Sequence, residues 1–277
     1  MSLLKVIKVF LERSSLSYHV NTYGKGEALL LLHGFTGDNR TWDPFISSWK
    51  ERYQVITVDI IGHGKTDCPN EIEQYSIFEV VEQLREIIEK LGLIKVNLLG
   101  YSMGGRLALA YYFKYPQTVN KLILESTSPG LRTEHERTER RIQDEKLGDS
   151  IIEYGIESFT NKWENIPLFQ SQQALSDSVK QKIRNQRLAN NPVGLANSLK
   201  GMGTGAQPSY WTEVPKLTNT LLITGDLDQK FVRIANEMTE INEILAHISV
   251  NNAGHAIHVE KPEIFDTIVM EFLENHQ

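Results

Sequence analysis

Six short runs of almost unbroken apolar residues recur along this chain: ALLLLHG at 28–34, YQVITVDI at 53–60, KVNLLGY at 95–101, KLILEST at 121–127, NTLLITGD at 219–226 and AHISVNN at 246–252. A strand with one wet face alternates apolar and polar side chains, so runs this continuous need cover on both faces. Helical patterns fall between or after them, at roughly 76–91, 103–115, 231–240 and 262–274. The first, SIFEVVEQLREIIEKLG, spaces its apolar residues three and four apart and closes on a glycine. Strand and helix in alternation predict an α/β fold, a mostly parallel twisted sheet flanked by helices and joined by right-handed crossovers.

The alternation stops at about Gly130 and resumes at Asn219. The stretch between is charged and helical in pattern, LRTEHERTERRIQDEKLGDSIIEYGIESF and then SDSVKQKIRNQRLA, with no strand. It predicts a helical cap at 131–207 inserted into a core formed by 1–130 and 208–277. GMGTGAQP at 201–208 reads as a flexible return to the core.

Composition narrows the partners. A formal net charge of −6 with 23% charged residues supplies no basic surface for a phosphate backbone, so nucleic acid is not an expected partner. Any anionic ligand must then meet cations gathered locally. Cys68 is the single cysteine, which excludes a disulfide framework and a thiolate cluster. Lys5, Lys8, Glu12 and Arg13 interrupt MSLLKVIKVFLERSS before a signal core or a spanning length accumulates, so the expectation is a cytoplasmic protein without membrane insertion. Monomer and small homo-oligomer both remain open.

GYSMG, Gly100 to Gly104, fits the G-x-S-x-G elbow and lies after a strand and before a helix. Such a turn lifts the Ser102 hydroxyl above the sheet. A serine is not acidic enough to react unaided, so it needs a base and a group to orient that base. His255, in NNAGHAIHVEKP, follows the last strand; Asp226 and Asp228, in ITGDLDQKF, follow the strand before it. All lie at C-terminal strand ends, where open α/β sheets hold their sites. LLHGF at 31–35 adds a loop whose Phe35 N–H, with that of Met103, would form an oxyanion hole. His33 and His63 are read as loop anchors, and His258 as packing behind His255. No histidine and carboxylate spacing marks a metal site, and no glycine-rich loop fits a dinucleotide.

Arg106 is the odd residue. It follows Ser102 by four, on the same face of the helix start, where a cation opposes the positive end of the helix dipole. An anionic ligand held by the guanidinium resolves the conflict; a salt bridge to a cap carboxylate is the structural alternative.

Over nearly its full length the chain resembles the α/β-hydrolase fold family: HGF, DIIGHGKTD, GYSMGG, TGDLD and AGHAIHVEKP occur in that family's order. The resemblance implies a triad of Ser102, His255 and the second aspartate of GDLD, Asp228, with Asp226 as the alternative. GYSMGGR, ESTSPGL, RTERR, KWENIPLFQSQ, QRLANN and GTGAQPSYW narrow it to the 2-succinyl-6-hydroxy-2,4-cyclohexadiene-1-carboxylate synthase branch, lyases of menaquinone biosynthesis. That branch implies substrate-binding roles for Tyr101, Arg106, Arg140, Trp163 and Arg187, with Arg137 and Arg141 as competing registers for Arg140. It also implies a tricarboxylate substrate, elimination of pyruvate with the triad abstracting a proton, and no cofactor or metal. A serine hydrolase acting on esters or C–C bonds through an acyl-enzyme is the second reading. A non-catalytic receptor or scaffold is the third.

Overall fold

The computed structural model describes residues 5–275; Met1–Leu4 and His276–Gln277, the two ends of the expected core span, lie outside the described residues. In chain order the strands and helices are β1 Lys5–Leu11, β2 Leu16–Tyr23, β3 Glu27–Leu32, α1 Asp43–Trp49, β4 Tyr53–Val58, α2 Ile77–Lys90, β5 Val96–Tyr101, α3 Met103–Lys114 and β6 Val119–Glu125. There follow α4 Glu134–Trp163, α5 Asp177–Leu188, α6 Pro192–Met202, β7 Thr220–Gly225, α7 Gln229–Ile241, β8 Ala246–Val250, α8 Ile257–Glu260 and α9 Pro262–Glu274.

One sheet runs in the order β1-β2-β4-β3-β5-β6-β7-β8. All six apolar runs became strands, and the pairings among them are parallel. Leu29–Leu32 and Leu98–Leu99 have no exposed surface, as cover on both faces requires. The helix faces explain that cover. α2, α3 and α7 pack the first face through residues such as Leu84, Leu107 and Met238; α1 and α9 pack the second through Trp49 and Phe265. Helix α2 starts where the Ser76 hydroxyl accepts the Glu79 N–H and ends before Gly92 at φ +71°.

Two elements were not expected. β1 and β2 form an antiparallel hairpin, and β2 pairs antiparallel with β4. β1 is an edge strand with largely exposed side chains, so its lysines are compatible with pairing and blunt the free edge. The segment 201–208 is packed rather than loose. Gly205 lies so close to α4 that an added Cβ would sit 2.4 Å from the Arg141 nitrogen, and Gln207 is fully buried.

The strand order reverses between β3 and β5, since β4 lies on the far side of β3 and β6 on the far side of β5. Open α/β sheets bind ligands in the crevice at such a switch point. The turns leaving β3 and β5 carry Phe35 and Ser102. Helices α4 to α6 come between β6 and β7, with a small apolar cluster of their own around Ile151, Phe159, Leu195 and Leu199. Among the described residues no helix is long and apolar enough to cross a membrane.

Candidate active site

Ser102 joins β5 to α3 at φ +49° and ψ −104°, a conformation costly for any residue with a Cβ. Its neighbours make the turn possible. A Cβ on Gly100 would lie 2.4 Å from the Gly104 carbonyl oxygen, and one on Gly104 would lie 2.2 Å from that of Leu32. The helix start therefore packs closely on β5 because position 100 is glycine and on the end of β3 because position 104 is. The Ser102 N–H donates to the Glu125 carbonyl at 2.9 Å, which fixes the strained residue to β6.

His255 is buried, 2% exposed, in the turn between β8 and α8. Its Nδ1–H donates to Asp228 Oδ2 at 2.7 Å, leaving Nε2 to accept the Ser102 hydroxyl at 2.9 Å. Asp226, the alternative acid, makes no bond to His255; its N–H donates to the Val250 carbonyl and its Oδ1 is buried without a partner. The rings of Phe231, Tyr101 and Phe169 stand 4.7, 5.4 and 6.2 Å from the imidazole. They shield one polar chain with apolar walls. Among the described residues the N–H groups of Phe35 and Met103 have no hydrogen-bond acceptor, and both residues line the space above Ser102.

That space is a cavity of about 320 Å³. Arg106 and Arg140 both line it, together with Tyr101 and Trp163. Arg106 donates from Nη1 to the Met202 carbonyl at 2.7 Å and to Gln207 Oε1 at 3.1 Å. Met202 ends α6, so the guanidinium that opposes the dipole of α3 complements that of α6. No carboxylate pairs with Arg106 among the described residues. Burial, and then the nearby charge of Arg140, bring its pKa down to about 10, so it stays charged at neutral pH. Arg140 donates from Nε to Asp144 at 2.8 Å and lines the cavity. Arg137 and Arg141 instead pair with Glu134 and bind the backbone of 131–132 and 205. Only Arg140 of the three lines the cavity.

Trp163 packs in a cluster with Phe159, Phe35 and Phe169, and its Nε1–H is buried without an acceptor. Burial, and then Glu125, hold the Tyr101 phenol well above its usual pKa, so it remains protonated. Arg187 is placed differently from the other two arginines. It lines a neighbouring cavity of about 220 Å³ with its guanidinium 4.9 Å from the centre of the Phe169 ring, and Phe169 borders both spaces. The three arginines thus do not share one pocket.

Sequence reasoning missed Lys230, which lines the main cavity in the first turn of α7. Burial, and then Arg140, lower its pKa. Its position two residues after Asp228, at a strand's C-terminal end, was the available signal.

His33 and His63 hold loops. His33 Nδ1–H donates to the Gly34 carbonyl and its Nε2 accepts the Ile60 N–H, bracing the Phe35 turn. His63 donates from Nδ1 to the Ile61 carbonyl, and burial, then His33, lower its pKa to about 3. A folded-state pKa below the unfolded value stabilises the fold fully only above the unfolded pKa near 6.5, and the contribution is lost as pH falls toward 3. His63→Asn, which retains a donor for Ile61, is therefore expected to flatten the acid limb of stability. Urea unfolding at pH 7 and 4.5 should show the wild type losing roughly 3 kcal/mol more than the variant. Equal losses would place the acid sensitivity elsewhere.

The description "alpha/beta hydrolase fold" is matched over residues 27–262. A Bacillus subtilis (strain 168) protein, named provisionally as a 2-succinyl-6-hydroxy-2,4-cyclohexadiene-1-carboxylate synthase, is 48% identical over 89% of this chain and 90% of its own length. The enzyme of that name from Salmonella heidelberg (strain SL476) is 29% identical over 85% of this chain and 89% of its own. The solved structure of MenH from S. aureus superposes with a TM-score of 0.87 at 36% identity, covering 99% of this chain and 98% of that one. The match over residues 27–262 and a relative 48% identical over about nine-tenths of both chains leave one conclusion: the chain belongs to the α/β-hydrolase fold family and, within it, to the 2-succinyl-6-hydroxy-2,4-cyclohexadiene-1-carboxylate synthase family.

Proposed function

We propose that this chain is a carbon–oxygen lyase of menaquinone biosynthesis. It eliminates pyruvate from 2-succinyl-5-enolpyruvyl-6-hydroxy-3-cyclohexene-1-carboxylate to give 2-succinyl-6-hydroxy-2,4-cyclohexadiene-1-carboxylate. The carrying observation is a hydroxyl bonded to a buried imidazole at 2.9 Å in a cavity that also holds Arg106 and Arg140.

In this reading Ser102, Asp228 and His255 act as a base. His255 draws the Ser102 proton, and the serine oxygen takes the ring proton α to the succinyl ketone. The electron pair of that C–H bond forms a new ring double bond, the existing one shifts by one carbon, and the C–O bond to the enolpyruvyl group breaks. Enolpyruvate leaves with that bond's electrons, recovers the proton from the imidazolium and tautomerises to pyruvate. The Phe35 and Met103 N–H groups, without an acceptor among the described residues, hold the ketone oxygen as it becomes an enolate. Arg106, Arg140 and Lys230 hold carboxylates of the tricarboxylate substrate, with Tyr101 closing the wall. Arg187 takes a carboxylate once the Phe169 ring turns aside, and residues 131–207 serve as the cap over the site.

The test is direct. The purified chain is given the substrate, and pyruvate is followed by a lactate dehydrogenase couple alongside diene absorbance. One pyruvate per diene is expected. Turnover of aryl esters through a Ser102 adduct seen by intact mass, with no pyruvate, would make the chain a serine hydrolase instead.

The Trp163 N–H has no acceptor among the described residues and meets one on the substrate in this reading. Trp163→Phe should keep the aromatic packing and raise KM about fivefold to tenfold, the worth of one buried hydrogen bond, without loss of thermal stability. An unchanged KM would reduce Trp163 to packing.

A further inference from the structure

The buried group that the proposed mechanism leaves unused is a second carboxylate–imidazole pair beside the first. Glu125 has no exposed surface. Its Oε1 accepts the His258 backbone N–H at 3.0 Å, and both carboxylate oxygens lie 2.9 Å from His258 Nδ1. His258 follows His255 by three residues, and the Tyr101 ring lies against both, 5.4 Å from the first imidazole and 4.6 Å from the second. A fully buried carboxylate is a poor way to fill space, since removing it from water is costly and an apolar side chain would pack as well. It has a geometric effect an apolar residue could not have. The Glu125 carbonyl holds the Ser102 N–H at 2.9 Å, while its carboxylate holds the segment that carries His255. One residue at the end of β6 therefore grips both members of the Ser102–His255 hydrogen bond.

We propose that Glu125 is a positioning residue that, through His258, sets the reach of His255 to Ser102. The proposal rests on the reading of Ser102 and His255 as the base. The opposite arrangement, with the His258 ring merely packing against Trp42, Tyr101 and Phe265, is available to the same residues at 5.3, 4.6 and 6.0 Å. Two substitutions separate them. His258→Asn places an amide N–H near the position of Nδ1 and removes most of the ring, so it preserves the clamp and loses the packing. His258→Phe keeps the ring packing and the backbone bond to Glu125 but removes the side-chain half of the clamp, and Glu125→Met/His258→Phe removes both halves.

The experiment measures pyruvate release and, by proton NMR, the downfield resonance of the His255 Nδ1–H shared with Asp228. His258→Asn is expected within threefold of wild-type kcat with that resonance in place. His258→Phe is expected to lose tenfold or more in kcat at unchanged KM, with the resonance shifted or broadened. Because His258→Phe strips a buried carboxylate of its ring donor and can fail to fold, Glu125→Met/His258→Phe replaces the whole pair with apolar groups of similar size. It should fold and show the same kcat loss. Wild-type kcat and an unmoved resonance in the double variant, or a loss in His258→Asn exceeding that in His258→Phe, would overturn the clamp. If the wild type releases no pyruvate, the lyase reading fails, while the resonance still reports whether Glu125 positions His255.

Discussion

Ser102→Ala is expected to lower kcat for pyruvate release by about a thousandfold while KM moves less than about threefold. The fold should hardly notice. Among the described residues the Ser102 hydroxyl bonds only to His255, and the backbone bond that fixes the strained turn, Ser102 N–H to the Glu125 carbonyl, survives the substitution. Alanine carries the same Cβ into the same positive-φ turn, so urea unfolding should agree within about 0.5 kcal/mol. His255→Ala should cost a similar factor, and the double variant no more than either alone, because serine and imidazole act as a unit. The comparison is informative in both directions. Full activity in Ser102→Ala with a large loss in His255→Ala would make the imidazole the base and leave the serine a bystander. Full activity in both would remove the site from the chemistry.

The position of Ser102 was legible in sequence for a physical reason. An apolar run ending in a glycine-flanked serine and passing straight into a helix leaves one conformation for the turn, and the sheet's switch point then supplies the crevice. Asp228 and His255 were legible as candidates because strand ends bracket them. Choosing Asp228 over Asp226 took a resemblance, since a two-residue difference in a turn decides which carboxylate meets the imidazole. The β1–β2 hairpin escaped because its lysines face solvent at an edge and break the apolar continuity that marked the other strands. The neighbourhood of Arg187 escaped for another reason. Its helix was readable, but which side of Phe169 its guanidinium occupies depends on packing between segments far apart in sequence. Glu125 escaped entirely. As the polar end of KLILE it reads like a strand terminus, and the partner that explains its burial lies 133 residues away.

Arg106 should lose more than any cavity residue outside the Ser102–His255–Asp228 chain, and in two ways that can be measured apart. Arg106→Met is expected to lower kcat/KM by roughly a hundredfold, the scale of one charge-assisted contact of about 2–3 kcal/mol. It should also destabilise the fold by about 1–2 kcal/mol, since the Met202 carbonyl at the end of α6 and Gln207 lose their donor. Arg106→Lys keeps the charge but has one ammonium for two tasks, so it should recover much of the stability and only part of the kcat/KM. Raising ionic strength should weaken kcat/KM in the wild type more steeply than in Arg106→Met, because screening acts on the charge the variant lacks. In the alkaline range the sign follows from the lowered pKa. The Arg106 guanidinium, its pKa brought down to about 10, begins to lose its charge in that region, so wild-type kcat/KM should fall more steeply there than in Arg106→Met, where Lys230 remains to titrate. A variant that loses stability yet keeps its kcat/KM, salt slope and alkaline profile would show that Arg106 does no more than terminate α6. Recognition of a polyacid beside Ser102 would then fall to Arg140 and Lys230.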